Sequence, residues 1–393
     1  MSIHELALDA LFTQGGPGAA IMRRFGLLHP KLDVASTRAA LILATVTWVP
    51  LLILSAIQGL ALGGANIPFL KDIAAQVRFL VAVPILALAD IPVGFRLREL
   101  VRHFLDAGLI RVQDGPRFND ILLEAIERRD SHIAGIVLAA VAYIATYLNF
   151  AGGRLQRGSI WYMPGMAGHL SLAGYWYVLV ALPIFQFLIL RWIYRMFNWA
   201  RFLFEVSRLD LKMSAAHPDA AGGLAFLGKS LIPLGTIAFA LSAVTSGGIA
   251  SRVFIAGAEL QSFAAAYGAL LLITLIIFAG PLLIFTPRLM RLKYQGTLKY
   301  GVLADRYTEL FEEKWLALRE GERADESFLG TSDIQSLADL GNSFGLVRKM
   351  RVFPVEPSDF MALVISTLLP ALPLLTAVMP VSEILKGLLK LIA

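Results

Sequence analysis

Two charged residues lie in or beside one apolar segment of this sequence, where an ionised side chain is costly. Asp90 follows the apolar run 73–89, and Arg78 lies inside it. Charges within hydrocarbon are rare and usually functional, so both residues are candidate intramembrane charge sites. They are twelve residues apart, or about 18 Å along a helix, so they cannot pair with each other.

Each of these charges also has a structural interpretation. Arg78 is less than two turns from Lys71, and its side chain can extend to the membrane surface. Asp90 precedes Ile91 and Pro92, a combination that is typical of a helix start. If Asp90 is instead embedded in the bundle, it is the best single candidate for a proton or cation site.

A second candidate site precedes the fifth apolar segment. His217-Pro218-Asp219 is followed by alanines and glycines, and Lys229 lies almost three helical turns beyond Asp219. Asp is a favoured N-cap residue, so Asp219 suits a helix cap. The alternative is a titratable cytoplasmic gate formed by His217, Asp219 and Lys229.

Residues 223–230 also fit the P-loop formula G-x-x-x-x-G-K-S. A phosphate-binding loop needs a preceding strand and backbone amides that face water. Residues 224–227 are apolar and run directly into a membrane segment. We therefore reject nucleotide binding at this position.

The last apolar segment combines hydroxyl groups with prolines. Ser366 and Thr367 precede Pro370 and Pro373, and no charge occurs within 360–379. A mobile helix of this kind can line a hydrophobic gate, so these four residues are candidates for a pore or gate. Alternatively, the hydroxyls bond to their own backbone, and the helix serves only for packing.

Four aromatic residues lie in or next to the second outer connection: Trp161, Tyr162, Trp176 and Tyr177. An aromatic belt at the membrane surface accounts for them. A small aromatic pocket for an organic molecule is the alternative.

The residue types exclude or disfavour other chemistry. The chain has no cysteine, so disulfides and thiolate metal sites are excluded. Its six histidines lack the short spacings of zinc or haem ligands. No G-x-S-x-G motif occurs. We therefore expect no enzyme activity, no bound metal and no cofactor.

Membrane helices are the elements that must position these residues. The chain of 393 residues is 57% hydrophobic and only 16% charged, which excludes a soluble globular fold. An apolar run of about 20 residues crosses about 30 Å of hydrocarbon as a helix. We predict an all-α polytopic membrane bundle with about seven spans, near 39–62, 73–89, 133–150, 172–190, 224–246, 264–285 and 360–379.

The lysine and arginine residues predict the orientation of this bundle. All but seven of the 35 fall in the N-terminal segment or in the three long loops on the same side of the membrane. The positive-inside rule places that side in the cytoplasm. The N-terminus, which has no cleavable signal, is then cytoplasmic, and the C-terminus is outside. Because this distribution of charge matters more than the net charge of +6, we expect no nucleic-acid partner.

The predicted organisation has four parts. They are an amphipathic cytoplasmic segment at 1–38, a six-helix membrane region at 39–287 with cytoplasmic loops at 96–131 and 191–223, a helical cytoplasmic region at 288–359, and a seventh span with a short outer C-terminal helix at 360–393. Within the cytoplasmic parts, one helix is predicted from Gly115 and another from Ser332, and the sixth membrane helix is predicted to continue beyond the bilayer.

Two stretches, His217 to Leu224 and Asp333 to Ser343, resemble stretches of a family of bacterial multi-pass membrane proteins without an assigned activity. This resemblance implies a bacterial inner-membrane location. The layout of spans and loops is similar to that of the insect chemoreceptor-like ion channels, in which cytoplasmic extensions hold a tetramer together and the seventh helix lines the pore. The short seventh-helix signature of those channels is not present at 360–379.

These features lead to a functional hypothesis with two alternatives. The leading hypothesis is a homo-oligomeric ion channel or channel-like receptor in the lipid bilayer, with Ser366 and Thr367 near the permeation path. One alternative is a proton-coupled transporter or permease in which Asp90 titrates. The other is a membrane sensor or scaffold that acts through its cytoplasmic helices. The sequence does not identify the ion or small-molecule ligand.

Overall fold

The computed structural model describes residues 32–152, 160–164, 169–316 and 332–377. Residues 1–31 of the predicted amphipathic segment and the predicted outer helix at the C-terminus lie outside these residues, whereas residues 32–38 of that segment belong to the first helix. The main helices are α1 Leu32–Ile57, α2 Ile73–Asp106, α3 Gly115–Arg129, α4 His132–Ala151, α5 Leu172–Ser207, α6 Ala225–Ile255, α7 Leu260–Phe278, α8 Thr286–Trp315, α9 Ser332–Lys349 and α10 Pro357–Thr376.

The described part of the chain is all-helical, as the sequence predicted, and contains no β-strand. Seven of its helices are long and apolar enough to cross a membrane: α1, α2, α4, α5, α6, α7 and α10. They match the seven predicted apolar runs to within a few residues at most of their ends. The composition of the chain is therefore that of a multi-pass membrane protein.

Two of these helices are much longer than a bilayer requires. α2 has 34 residues and α5 has 36, so each is about 50 Å long at 1.5 Å per residue. Their predicted membrane segments ended at residues 89 and 190, but both helices continue for more than four further turns. Their C-terminal ends, α3, α8, α9 and the first residues of α6 and α10 form one end of the bundle, here named the basic end.

Helix α6 lies at the centre of the bundle. In its most apolar window, 67% of the residues are buried, against 11% for α4 and 6% for α7. α6 packs against α2, α7 and α10. α4 and α7 therefore present their side chains outward, to lipid or to another chain.

Small residues on α6 permit these close contacts. A Cβ added at Gly235 would lie 2.6 Å from Oγ of Ser366 on α10. A Cβ at Gly247 would lie 3.0 Å from Cβ of Val77 on α2. Glycine at these positions lets the neighbouring helices approach, as is common between membrane helices.

Five prolines of the apolar helices lie in or next to irregular turns. π-helical turns at Val77–Ala82 and Tyr177–Ala181 come just before Pro84 and Pro183. Pro281 starts a 3₁₀ turn between α7 and α8. The second half of α10 is also 3₁₀ and contains Pro370 and Pro373. Proline lacks the N–H of a regular helix, and these turns accommodate that loss.

The helices predicted outside the apolar spans are confirmed at the basic end. α3 packs against α5, and α8 continues α7 and packs against α9. The Lys293 ammonium donates to the Met350 carbonyl at 2.7 Å. The Arg288 guanidinium donates to the Leu209 carbonyl. These contacts join the helices of the basic end into one layer.

Candidate functional site

Asp90 forms an ion-pair cluster with two arginines of α5. Arg191 and Arg195 are four residues apart, so both side chains lie on the face of α5 that meets α2. Nη2 of Arg191 lies 2.8 Å from Oδ2 of Asp90, and Nη1 of Arg195 contacts Oδ1. The side chains of the two arginines are only 6% and 14% exposed, and that of Asp90 is 21% exposed.

Neighbouring contacts fix this cluster in place. The Arg195 guanidinium lies 4.4 Å from the ring centroid of Trp192, a cation–π geometry. The indole N–H of Trp192 donates to the Leu86 carbonyl at 2.9 Å. The cluster therefore joins α2 to α5. α2 continues through Asp90 without a side-chain cap there, and the Asp90 carboxylate accepts from the arginines.

The structure gives Arg78 different partners from those of Asp90. Nη1 of Arg78 donates to the Tyr177 hydroxyl at 2.5 Å. The guanidinium also lies 5.5 Å from the ring centroid of Phe185 and 6.0 Å from that of Phe79. Arg78 is therefore held among aromatic rings of α2 and α5, rather than extending freely to a membrane surface.

The aromatic residues of the second outer connection are mostly interior residues, which corrects the belt interpretation. Trp161 is fully buried, and Tyr162 and Tyr177 are buried. The indole N–H of Trp161 donates to Oδ2 of Asp72 at 2.9 Å. Burial, with Tyr177 and Asp72 nearby, raises the pKa of the Tyr162 hydroxyl above its ordinary value. These rings pack as a cap on the bundle, which also places them away from lipid.

Asp219 organises the loop that leads into α6. Its Oδ1 accepts from the amides of Ala221 and Gly223 at 2.8 and 3.1 Å, and its Oδ2 accepts from the amide of Ala225 at 3.0 Å. Nδ1 of His217 lies 2.8 Å from Oδ1. Burial alone would raise the pKa of the Asp219 carboxyl, but these hydrogen bonds hold it below its usual value.

The backbone of this loop is unusual and is supported from the C-terminal part of the chain. Ala220 has φ of 51°, and Gly222 and Gly223 have φ of 68° and 95°. Nη2 of Arg351 donates to the Asp219 carbonyl at 2.9 Å, and its backbone amide donates to the Ala220 carbonyl. The geometry favours the capping interpretation of Asp219, extended to a whole loop.

Replacing Asp219 by Ala is expected to lower the free energy of unfolding by about 1–3 kcal/mol, since buried amides lose a charged acceptor. The pKa of the Asp219 carboxyl is lower in the folded protein than in the unfolded protein. Its contribution to stability is therefore complete above the unfolded-state pKa of about 3.9 and is lost as the pH falls through the folded-state pKa. Chemical unfolding in detergent micelles at several pH values measures this. Asp219→Asn, which keeps one acceptor, is the intermediate control. Equal stability of all three proteins would contradict the prediction.

Lys229 bonds to α10 and not to Asp219. Its ammonium lies 2.8 Å from Oε2 of Glu356 and 3.1 Å from Oδ1 of Asp359. Asp359 is only 1% exposed. The hydrogen bond from Lys229 lowers the pKa of the Glu356 carboxyl. We name these three residues the α6–α10 latch. Sequence reasoning did not predict Glu356 and Asp359, because more than 120 residues separate them from Lys229.

The α6–α10 latch explains the glycine and the lysine of the sequence that fits the P-loop formula. A Cβ at Gly228 would lie 3.0 Å from Cα of Val355 and 3.1 Å from Oδ2 of Asp359. Its glycine therefore permits the close approach of α10, and its lysine supplies the ion pair. Residues 225–230 form a 3₁₀ turn and not a phosphate-binding loop.

The hydroxyl groups of α10 bond within their own helix. Oγ of Ser366 donates to the Ala362 carbonyl, and Oγ1 of Thr367 donates to the Leu363 carbonyl, both at 2.8 Å. Thr367 is fully buried. This geometry favours the packing interpretation. A pore or gate role for Ser366, Thr367, Pro370 and Pro373 stays a prediction.

A pocket of about 530 Å³ lies at the basic end. The polar side chains in its wall are His103, Lys212, Ser214, His217, Asp219, Lys229 and Glu356. They come from the end of α2, the 208–224 loop, the start of α6 and the residue before α10. The pocket thus unites the three predicted gate residues, although these do not form a single hydrogen-bonded triad. Its volume is within the range of small-molecule sites.

The carboxylates of this pocket have hydrogen-bond partners in the described structure, whereas two of its basic side chains do not. Asp219 already accepts from three amides, and Glu356 accepts from Lys229. Within the described residues, the Lys212 ammonium has no ion-pair partner, and the ring of His103 makes only a contact with Phe226, at 4.4 Å between centroids. The groups available to a ligand are therefore mainly hydrogen-bond donors and a positive charge.

The described structure is a helical bundle in which seven helices are long and apolar enough to cross a membrane, with a polar pocket at one end. Comparison of the chain with family models, with curated proteins and with solved structures gave no match. In the part of the chain that the structure describes, no group of three or more suitable side chains is placed to hold a metal ion. The expectation of no metal and no cofactor stays a prediction.

Proposed function

We propose that the chain is a membrane receptor of the channel-like type whose basic end faces the cytoplasm and binds a small anionic solute. The pocket at the basic end is the observation that carries this proposal. A ligand there touches the ends of α2, α6 and α10 at once, and α6 is the central helix of the bundle. Binding can therefore change how α10 packs against α6.

The chemistry of the pocket favours an anion. Its two carboxylates already have donors, whereas among the described residues Lys212 has no ion-pair partner and the His103 ring has no hydrogen bond. A carboxylate or phosphate group of a small solute complements such a wall. A cation would compete with Lys229 for the Glu356 carboxylate.

A conducting path, if the receptor is a channel, has to lie between copies of the chain. The centre of the described bundle is filled by α6, which leaves no place for a path along its axis. The outward-facing side chains of α4 and α7 provide surfaces for assembly into a homo-oligomer. The proton-coupled transporter is less well supported, because Asp90 is engaged by two arginines. The sensor alternative differs from this proposal only in lacking conductance.

Lys212 provides the direct test of the pocket. We expect inorganic phosphate or succinate to bind the purified protein, and Lys212→Met to weaken that binding about tenfold or more, since a hydrogen bond to a charged group contributes about 1.5–3 kcal/mol. Isothermal titration calorimetry measures both affinities. Lys299→Met, which removes an exposed lysine of α8 outside the pocket, is the matched control.

Two results would overturn the proposal. One is the absence of binding by any small anion, including phosphate, dicarboxylates and nucleotides. The other is equal weakening by Lys212→Met and Lys299→Met, which would indicate general charge attraction and no defined site. Conductance of reconstituted bilayers with and without the bound anion then separates a channel from a sensor.

A further inference from the structure

A small cavity lies beside the Asp90 cluster, away from the pocket at the basic end. Its volume is about 30 Å³, and its polar wall consists of Arg129 at the end of α3 with Arg195 and Asn198 on α5. Apolar side chains of α2, α3 and α5 complete the wall. A space of this volume holds one small ion or one to two water molecules.

The side chain of Asn198 indicates that the cavity holds a polar ligand. The residue is 9% exposed. Neither Oδ1 nor Nδ2 of its carboxamide has a hydrogen-bond partner among the described residues. Leaving a buried polar group unpaired costs about 1–3 kcal/mol, and native proteins rarely do so. A partner for this carboxamide is therefore expected within the cavity.

The charges around the cavity do not balance. Among the described residues, the charges that act on Arg195 include those of Asp90, Arg191 and Arg129. Arg129 is paired with Asp130, at 2.6 Å between Nη2 and Oδ2. The single carboxylate of Asp90 faces both Arg191 and Arg195, which leaves one excess positive charge. An uncompensated charge in a poorly solvated place is costly.

We propose that this cavity binds one halide ion, normally chloride, between the Arg195 guanidinium and Nδ2 of Asn198. A halide supplies the missing negative charge and accepts from both donors. A water molecule would satisfy the carboxamide but would leave the charge uncompensated. This inference does not depend on the function proposed for the larger pocket.

The first test uses the unmodified protein. We expect its thermal unfolding midpoint in detergent to rise and saturate with sodium chloride, but not with sodium gluconate at equal ionic strength, because a ligand that binds only the folded state stabilises it. Crystals grown in bromide are expected to show anomalous scattering in the cavity. Equal midpoints in both salts, or bromide absent from the cavity, would overturn the proposal.

Two substitutions of Asn198 give opposite expectations. Asn198→Leu removes the donor and is expected to raise the half-saturating chloride concentration about tenfold or more. Asn198→Asp supplies its own negative charge and is expected to make stability independent of halide. Asn149→Leu is the control, because among the described residues the Asn149 side chain bonds only to the Ala145 carbonyl of its own helix. An unchanged chloride response in both Asn198 variants would contradict the assignment.

Discussion

Replacing Asp90 by Asn is expected to lower the free energy of unfolding by about 3–5 kcal/mol. The substitution removes the carboxylate that pairs with both Arg191 and Arg195 but leaves both guanidiniums nearly buried. Losing one partner of a buried ion pair costs more than the pair itself contributes, because the other charge loses its compensation. Chemical unfolding in detergent micelles measures the change.

Two controls separate the ion pair from other effects of this substitution. Asp120→Asn removes an exposed carboxylate on α3 and is expected to change stability by less than about 0.5 kcal/mol. A triple variant with Asp90→Leu, Arg191→Leu and Arg195→Met removes the whole cluster and is expected to recover most of the lost stability. If the triple variant is no more stable than Asp90→Asn, the loss of stability does not come from the two unpaired arginines.

The Asp90 variants also distinguish the functional alternatives. A proton-coupled transporter that uses Asp90 predicts a saturable solute flux that Asp90→Asn abolishes while the protein remains folded. The ion-pair geometry instead predicts a loss of stability, with no flux to abolish. Flux assays in proteoliposomes, made with protein that still elutes as a folded species, decide between them.

The apolar helices were predictable from the sequence because their signal is local. A run of about 20 apolar residues is visible without any tertiary information. The helices from Gly115 and Ser332 were also predictable, since turn residues and apolar periodicity mark them. The lengths of α2 and α5 were not. Both helices continue through polar residues. There α2 packs against α6 and α5 packs against α3, and the sequence alone does not show that packing.

The side-chain partners were the least predictable part, because they join distant segments. Asp90 and Lys229 were recognised as candidates from local context, but Arg191 and Asp359 were not identified as their partners. The spacing of Arg191 and Arg195 on one face of a helix was the available signal. The positive-inside rule uses these two arginines only as basic charge on the cytoplasmic side. The positions of Trp161, Tyr162 and Tyr177 in the sequence predicted an aromatic belt at the membrane surface. Tertiary packing buries these three rings instead.

Lys229→Met is expected to destabilise the protein by about 3 kcal/mol and to loosen α10 from α6. The buried carboxylate of Asp359 loses the only cation of the latch, and its Oδ2 already has no hydrogen-bond partner in the described structure. The exposed fraction of the Lys229 side chain, 38%, keeps the effect below the upper range for buried pairs. Chemical unfolding measures the loss, and hydrogen exchange at the start of α10 measures the loosening.

The two carboxylates of the latch differ in burial, and this difference provides the controls. Glu356→Gln removes the half-exposed partner and is expected to cost less than about 1 kcal/mol. Asp359→Asn in the Lys229→Met background removes the uncompensated charge and is expected to restore most of the stability. If the double variant is as unstable as Lys229→Met, the destabilisation comes from lost packing of the lysine side chain. If Glu356→Gln costs as much as Lys229→Met, the latch acts mainly at the surface, and binding in the adjacent pocket would then reach α10 through Glu356 alone.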